Sequence, residues 1–456
     1  MKVARLAVGV VAFAAVLGAP TPDGLSVEGQ RCAAVAVLMA VWWLAGALPM
    51  AVTALVPLVA FPVLGIADVK AAASPFAHPL NFLMLGGFIM GHAIEEVGLH
   101  RRVTASLLFP AVRKRPRLIV LALMVAAAGL SGMVSNTATM VMMLPIAATL
   151  ASRVAPGEAG RSAFALALAY ACSIGGVSTL IGTPPNAVLA GLSPRPIAFG
   201  QWMLLGVPFV VVALPLAWMV VLKLAMPKMS GVGGAIEAGP WKRGEPAVLI
   251  VTLVALALWL TRRGLGPIPA WGLDLHDSWI AIGAALLLFL LPGDNRGRLL
   301  AWDRAERAIP WSVILLLGGG FSLAAGISSS GLTAWLAGFM AQLGELPLPV
   351  TVLGLCLGIS FVTELTSNTA TTQISLPLLA AGAEIAGVDP LLWMVPATIS
   401  ASCAFMMPVA TAPNAIACEA GGVSAQMMAR CGVILNIVIA FVAAGVVLLL
   451  GPLVFG

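Results

Sequence analysis

The sequence predicts an all-α polytopic membrane protein: an inverted repeat of eleven transmembrane helices with two re-entrant hairpins and two broken helices. Three observations carry this reading: the composition, the placement of the basic residues, and a polar pentapeptide that occurs twice. Of 456 residues, 61% are hydrophobic and 9% charged, against about a quarter charged in soluble domains. The net charge of +6 does not describe a nucleic-acid surface. The lysines and arginines fall in short breaks between apolar runs, where they set topology.

Runs long enough to span, at about 20 residues each, read at 3–19, 31–48, 50–66 and 80–98. Lys2 and Arg5 before the first run imitate a signal peptide, but Gly18-Ala19-Pro20 makes a poor cleavage site, so a retained first helix is expected. A basic connection follows (Arg101, Arg102, Arg113, Lys114, Arg115, Arg117), then an apolar block at 118–152 that ends on Arg153 and Arg161. Positive flanks belong on the cytoplasmic side. A hairpin that enters and returns satisfies both flanks; a single span does not. The run at 163–193 is interrupted by Gly182-Thr183-Pro184-Pro185-Asn186, whose prolines remove backbone donors while its glycine admits unusual dihedrals, so a broken helix is expected.

Further spans read at 201–225, 246–262, 278–293 and 309–328. The connections at 226–245 (Lys228, Lys242, Arg243) and 293–308 (Arg296, Arg298, Arg304, Arg307) read as cytoplasmic. The connection at 262–277 reads as external although it holds Arg262 and Arg263, with Asp274 and Asp277 beside them. From 308 to 429 there is no lysine or arginine. That stretch holds a second hairpin (347–385) and a second broken helix (391–420), and its lack of positive charge fits a hairpin entered from outside. A last span at 430–452 leaves the N-terminus inside and the C-terminus outside.

Ser135-Asn136-Thr137-Ala138-Thr139 recurs as Ser367-Asn368-Thr369-Ala370-Thr371, an offset of 232. Gly86-Gly87-Phe88 and Gly98-Leu99 match Gly319-Gly320-Phe321 and Gly331-Leu332 at 233, and Thr183-Pro184-Pro185-Asn186-Ala187 matches Thr411-Ala412-Pro413-Asn414-Ala415 at 228. Several features in one order mark an internal repeat, and one hairpin entering from each side makes it inverted. The expected organisation is first-repeat scaffold helices at 1–115, then the first hairpin and broken helix at 116–200 as transport domain. Connecting and second-repeat scaffold helices at 201–345, the second hairpin and broken helix at 346–427 and a last helix at 428–456 complete it.

A hairpin tip inside the bilayer presents helix-terminal amides and carbonyls that water cannot reach. Carbonyl, Ser, Thr and Asn oxygens suit a hard cation such as sodium, and N–H groups at a helix N-terminus receive a carboxylate. The plainer alternative is that Ser-Asn-Thr joins helices by hydrogen bonds and the prolines only kink one. The duplication favours a site. No lysine or arginine lies between Arg117 and Arg153, between Arg161 and Arg195, or from 308 to 429. A dianion brought there needs co-bound cations, since Coulomb energies reach several kcal/mol at effective dielectrics near 20. That predicts sodium coupling.

With these motifs, this length and this order, the chain resembles the divalent anion:sodium symporter family of di- and tricarboxylate transporters over nearly its whole length. The resemblance implies a homodimer in the plasma (inner) membrane, each subunit having a scaffold and a transport domain that moves like an elevator. It implies sodium-coupled symport of C4-dicarboxylates such as succinate, malate or fumarate. The alternative is a sodium-independent dicarboxylate or citrate/succinate exchanger of the same fold. Carried over by motif, a first sodium site uses Ser131, Ser135, Asn136 and the Gly182 carbonyl, and a second uses Thr363, Thr366, Asn368 and the Ala410 carbonyl. Substrate carboxylates meet Asn136, Thr137, Ser367, Asn368 and Thr369, while Thr183, Pro184, Thr411 and Ala412 shape the pocket. Two departures stand out: the second break lacks the first proline of the other copy, and Thr366 adds a hydroxyl where the family often needs only a carbonyl. Exchangers in the family supply a basic residue in place of sodium, and none occurs at these positions.

Other polar residues have two readings each. His92, Glu95 and Glu96 could form a proton relay, or lie at a span end and pair with Arg101 and Arg102. Glu364 either tunes cation affinity at the second site or packs at the hairpin edge near water. Cys32, Cys172, Cys356, Cys403, Cys418 and Cys431 lack metal-ligand spacing and read as small core residues. His78, His100 and His276 fall in or beside loops, and the twelve tryptophans read mostly as interfacial belts. No GxSxG or HExxH motif occurs and no histidine lies near either Ser-Asn-Thr, so an enzyme is not expected.

Overall fold

The computed structural model describes residues 2–229, 239–242, 244–261, 275–293, 297–340 and 345–455, and among these the chain is helical with no β-strand. Arg243, Arg262, Arg263, Asp274 and Arg296, on which part of the expected topology rests, lie outside the described residues. Among the described residues, seven helices are long and apolar enough to cross a membrane, or eight if the bent pair Val69–Val97 and Leu99–Leu107 forms one span. Shorter apolar helices fill several of the remaining expected positions, among them Val3–Gly18, Met50–Leu64 and Asp277–Leu290. The third expected span is made of two pieces, Met50–Thr53 and Val56–Leu64. Pro57 is the second residue of the second piece and Pro62 lies inside it, where each withholds a backbone donor.

Both expected hairpins are present. Pro116–Ser131 returns through Asn136–Val154, and Leu348–Leu365 returns through Asn368–Ile385. Both expected breaks are present as well: Glu158–Gly176 resumes as Pro184–Leu192, and Leu391–Ser402 resumes as Ala412–Glu419. Pro184 and Ala412 occupy the first helical position of the second segments, each followed by proline, where a missing N–H costs nothing.

The glycine pairs that mark the repeat are places of close helix approach. A Cβ on Gly86 would fall 2.5 Å from the Ala281 carbonyl carbon, and one on Gly319 would fall 2.0 Å from the Ala54 carbonyl oxygen. Small residues let apolar helices touch backbone to backbone. Helix Glu158–Gly176 lies between both arms of the first hairpin and helix Phe199–Leu224, and is buried almost throughout.

Several expectations on side chains need correction. Trp202, Trp259 and Trp393 are fully buried inside the protein. Trp202 donates to the Val177 carbonyl (2.7 Å), and Trp259 donates to the Asp277 carbonyl (3.1 Å) and stacks on Phe199. An indole with its N–H satisfied fills core space well. Nor do Arg101 and Arg102 pair with Glu95 and Glu96. Arg102 binds Glu245 at 2.6 Å and covers the Trp241 ring, while Glu96 pairs with Arg304 and lies 3.8 Å from His92. Helix Leu99–Leu107 turns by 74° from its predecessor, which carries the two arginines away from that end of the span. Five cysteines are buried, Cys418 is half-buried, and all six are free.

Candidate functional site

Both hairpin tips and both breaks meet at one cavity of about 510 Å³. Its wall contains all nine residues expected to hold substrate: Asn136, Thr137, Thr183, Pro184, Ser367, Asn368, Thr369, Thr411 and Ala412. Residues from 232 positions apart are therefore brought together at the same surface. Four helices, starting at Asn136, Pro184, Asn368 and Ala412, present their N-termini to the cavity. Each such end carries unpaired N–H groups and a partial positive charge of about half a unit. Ser135 and Thr411 cap two of these helices, accepting from the Ala138 and Asn414 amides at 3.2 Å. Among the described residues no lysine or arginine lines the cavity.

The opposite helix ends supply carbonyls. Ser131 is fully buried behind the first tip, where its Oγ donates to the Cys172 carbonyl (2.8 Å) and lies 2.6 Å from the Asn136 amide. The same Asn136 atom lies 3.1 Å from the Cys172 carbonyl and 3.2 Å from the Gly182 carbonyl. With its NH2 turned inward, Asn136 donates to these three oxygens. With its oxygen inward, four oxygens face one another, an arrangement that a hard cation resolves.

The second half repeats this. Thr363 is fully buried and its Oγ1 approaches Asn368 Oδ1 (2.7 Å) and the Ala401 carbonyl (3.0 Å). Ser131 and Thr363 thus do equivalent things 232 residues apart. The breaks repeat too: Asn186 Nδ2 donates to the Gly176 and Thr179 carbonyls (3.1 and 2.7 Å), and Asn414 Nδ2 to those of Ala404 and Met407 (both 3.1 Å). This explains the paired Pro-Asn signature, because each asparagine ties down the unwound carbonyls of its own break.

Ser135, Asn136, Gly182, Asn368 and Ala410 of the expected sodium ligands line the cavity, and Ser131 and Thr363 stand one layer behind it. Thr366 does not line it: its hydroxyl is engaged by the Val362 carbonyl (3.0 Å) and Thr371 Oγ1. Among the described residues no group of three His, Cys, Asp or Glu is placed to hold a metal.

Helix Pro79–Val97 adds Phe88, Gly91, His92 and Glu95 to the wall, and the stretch around the start of Trp311–Ser329 adds Ala308, Pro310 and Val313, none of them recognised as site residues in the sequence. They place the cavity toward the side that carries the basic connections at 98–117 and 297–308.

A family profile described as CitMHS, citrate transporter, matches residues 40–398. The chain belongs to that family. The citrate transporter assignment makes it a multi-pass membrane transporter and not an enzyme, and the symporter resemblance drawn from the motifs is borne out. A sodium-dependent dicarboxylate transporter (SdcS) of Staphylococcus saprophyticus is 38% identical, over 95% of this chain and 88% of its own. The protein of the same name from Staphylococcus aureus is 35% identical over the same shares. In fold, the chain is similar to the Alcanivorax borkumensis YdaH transporter, with TM-score 0.58 and 15% identity over 84% of this chain and 86% of that one.

Proposed function

We propose that this citrate-family transporter carries C4-dicarboxylates across the plasma membrane, driven by sodium ions bound at the two oxygen clusters. The observation that carries this is the cavity wall: four helix N-termini and two Ser-Asn-Thr motifs, with no lysine or arginine among the described residues. Carboxylates accept from the helix-terminal N–H groups and from the Asn and Thr side chains. Cations take the carbonyl-rich ends: Ser131, Ser135, Asn136 and Gly182 at the first site, and Thr363, Asn368 and Ala410 at the second. Two unit charges 4 Å apart attract by about 4 kcal/mol at an effective dielectric of 20, so each sodium offsets much of the cost of placing a dianion there. The named function of the two staphylococcal relatives supports both the ion and the substrate class.

The paired hydrogen bonds support an inverted repeat, whose hairpins and broken helices (116–200 and 346–427) form a transport domain moving against scaffold helices as an elevator. The basic connections favour a cavity facing the cytoplasm, with the N-terminus on that side. A homodimer is the proposed assembly.

Proteoliposomes loaded with buffer test this. A sodium gradient drives labelled succinate inward without internal substrate. Uptake that ignores sodium and requires internal dicarboxylate identifies an exchanger instead and refutes the symport reading.

A further inference from the structure

The two halves of the site share the Ser131/Thr363 and Asn186/Asn414 contacts but differ at the position of Glu364. Glu364, three residues before Ser367, is 2% exposed at the end of helix Leu348–Leu365. Its carboxylate is surrounded by N–H donors. Oε1 accepts from the Phe405 amide (2.6 Å), the Met406 amide (2.9 Å) and Asn436 Nδ2 (2.8 Å), while Oε2 accepts from the Met407 amide (2.9 Å). Three consecutive amides of the second break are thus tied to the hairpin and, through Asn436, to the last helix Ala425–Phe455. The same turn is gripped from its other side. Tyr170, the only tyrosine in the chain, donates to the Phe405 carbonyl (3.0 Å) and the Met428 carbonyl (3.1 Å).

In the first half, the position 232 residues earlier is Gly132. A side chain there would meet Ser178 Oγ at 2.3 Å. The corresponding turn at 177–179 needs no external acceptor: the Val177 and Ser178 amides donate to the Ile174 and Gly175 carbonyls (3.1 and 3.0 Å), and Thr179 Oγ1 donates to the Gly132 carbonyl. One break is therefore held by neutral local bonds, and its counterpart by a buried acid.

The residues around Glu364 belong to the second cation cluster. Thr363 precedes it, and the Met407 carbonyl accepts from the Ala410 amide (3.2 Å), so the turn that Glu364 holds leads directly to the Ala410 carbonyl at the cavity wall. Resting on the sodium-coupled reading above, we infer that Glu364 is a positioning residue for the second cation site. It fixes the 405–407 turn so that the Ala410 carbonyl meets Thr363 and Asn368. It touches neither substrate nor the cavity.

The test is sodium dependence of succinate uptake in proteoliposomes for the wild type, Glu364→Gln and Asn436→Ala. Glutamine keeps an acceptor for three donors but sets an NH2 against the Met407 N–H; Asn436→Ala removes one donor. The expected result is a rise in half-saturating sodium of about tenfold for Glu364→Gln and about threefold for Asn436→Ala, with the maximal rate at saturating sodium largely retained. A merely structural residue would lower the maximal rate in proportion to folded protein and leave half-saturating sodium unchanged. That outcome overturns the inference. If Glu364→Gln does not fold, Asn436→Ala decides alone: a shifted sodium dependence supports the inference and an unshifted one overturns it. A wild type indifferent to sodium would refute the symport reading itself, whereas a sodium-dependent wild type with unshifted variants refutes only the role of Glu364.

Discussion

Thr363→Val tests the second cluster with almost no change in shape. The hydroxyl is fully buried, 2.7 Å from Asn368 Oδ1 and 3.0 Å from the Ala401 carbonyl. Valine replaces that oxygen by a methyl group, which removes one oxygen next to the cation cluster and the only hydroxyl shared by those two acceptors. Leaving a buried partner unsatisfied costs about 1–3 kcal/mol, and each 1.4 kcal/mol is about a factor of ten in an equilibrium constant. Half-saturating sodium for succinate uptake therefore rises by about fivefold to about a hundredfold, with a lower Hill coefficient. Substrate affinity extrapolated to saturating sodium changes little. Ser131→Ala at the equivalent first position, with its 2.8 Å bond to the Cys172 carbonyl, gives a similar shift. Uptake by Thr363→Val that follows the wild-type sodium curve would refute the placement of the second site.

Three further outcomes follow from the structure. Glu95 is an exposed carboxylate on the cavity wall; Glu95→Gln removes a repulsion from a dianion and lowers the KM for succinate by about two- to fivefold at low ionic strength, less in salt. Gly182→Ala would put a Cβ 2.4 Å from the Gly176 carbonyl oxygen, a backbone clash costing about 1–3 kcal/mol; uptake falls at least about tenfold and the melting temperature drops. Burial, and then the neighbouring His276, push His78 below its ordinary pKa of 6.5. A base that binds its proton more weakly folded than unfolded keeps full stability above the unfolded value and loses it as pH falls through that value. The melting temperature therefore declines between pH 7.5 and 5.5, and His78→Asn flattens that decline.

The hairpins and breaks were legible because hydroxyls, amides and prolines within apolar runs leave few alternatives, and their recurrence at near-constant offsets removes most of the rest. What stayed hidden depends on rotation about helix axes and on distant partners. Nothing local says that Glu95 faces the cavity while Glu96 reaches Arg304. Ala308 and Val313 join the wall from a segment more than a hundred residues from the proline pair and the hairpin tip of the first half. Helices Leu99–Leu107 and Leu332–Met340 carry no span signal of their own, since one is too basic and both are too short. The Gly-Leu pair that opens each was visible at an offset of 233. Buried tryptophans such as Trp202 escaped because belt and core positions share the same composition. Glu364 had two readings in the sequence, and its burial among four N–H donors speaks against the one that put it near water.

The central claim is that a site without a fixed cation holds a dianion only when sodium is bound beside it. Equilibrium binding of succinate to the purified transporter, measured by calorimetry in sodium chloride and in choline chloride of equal ionic strength, tests this directly. Binding in sodium and none detectable in choline is the predicted result. Equal affinity in the two salts would contradict it.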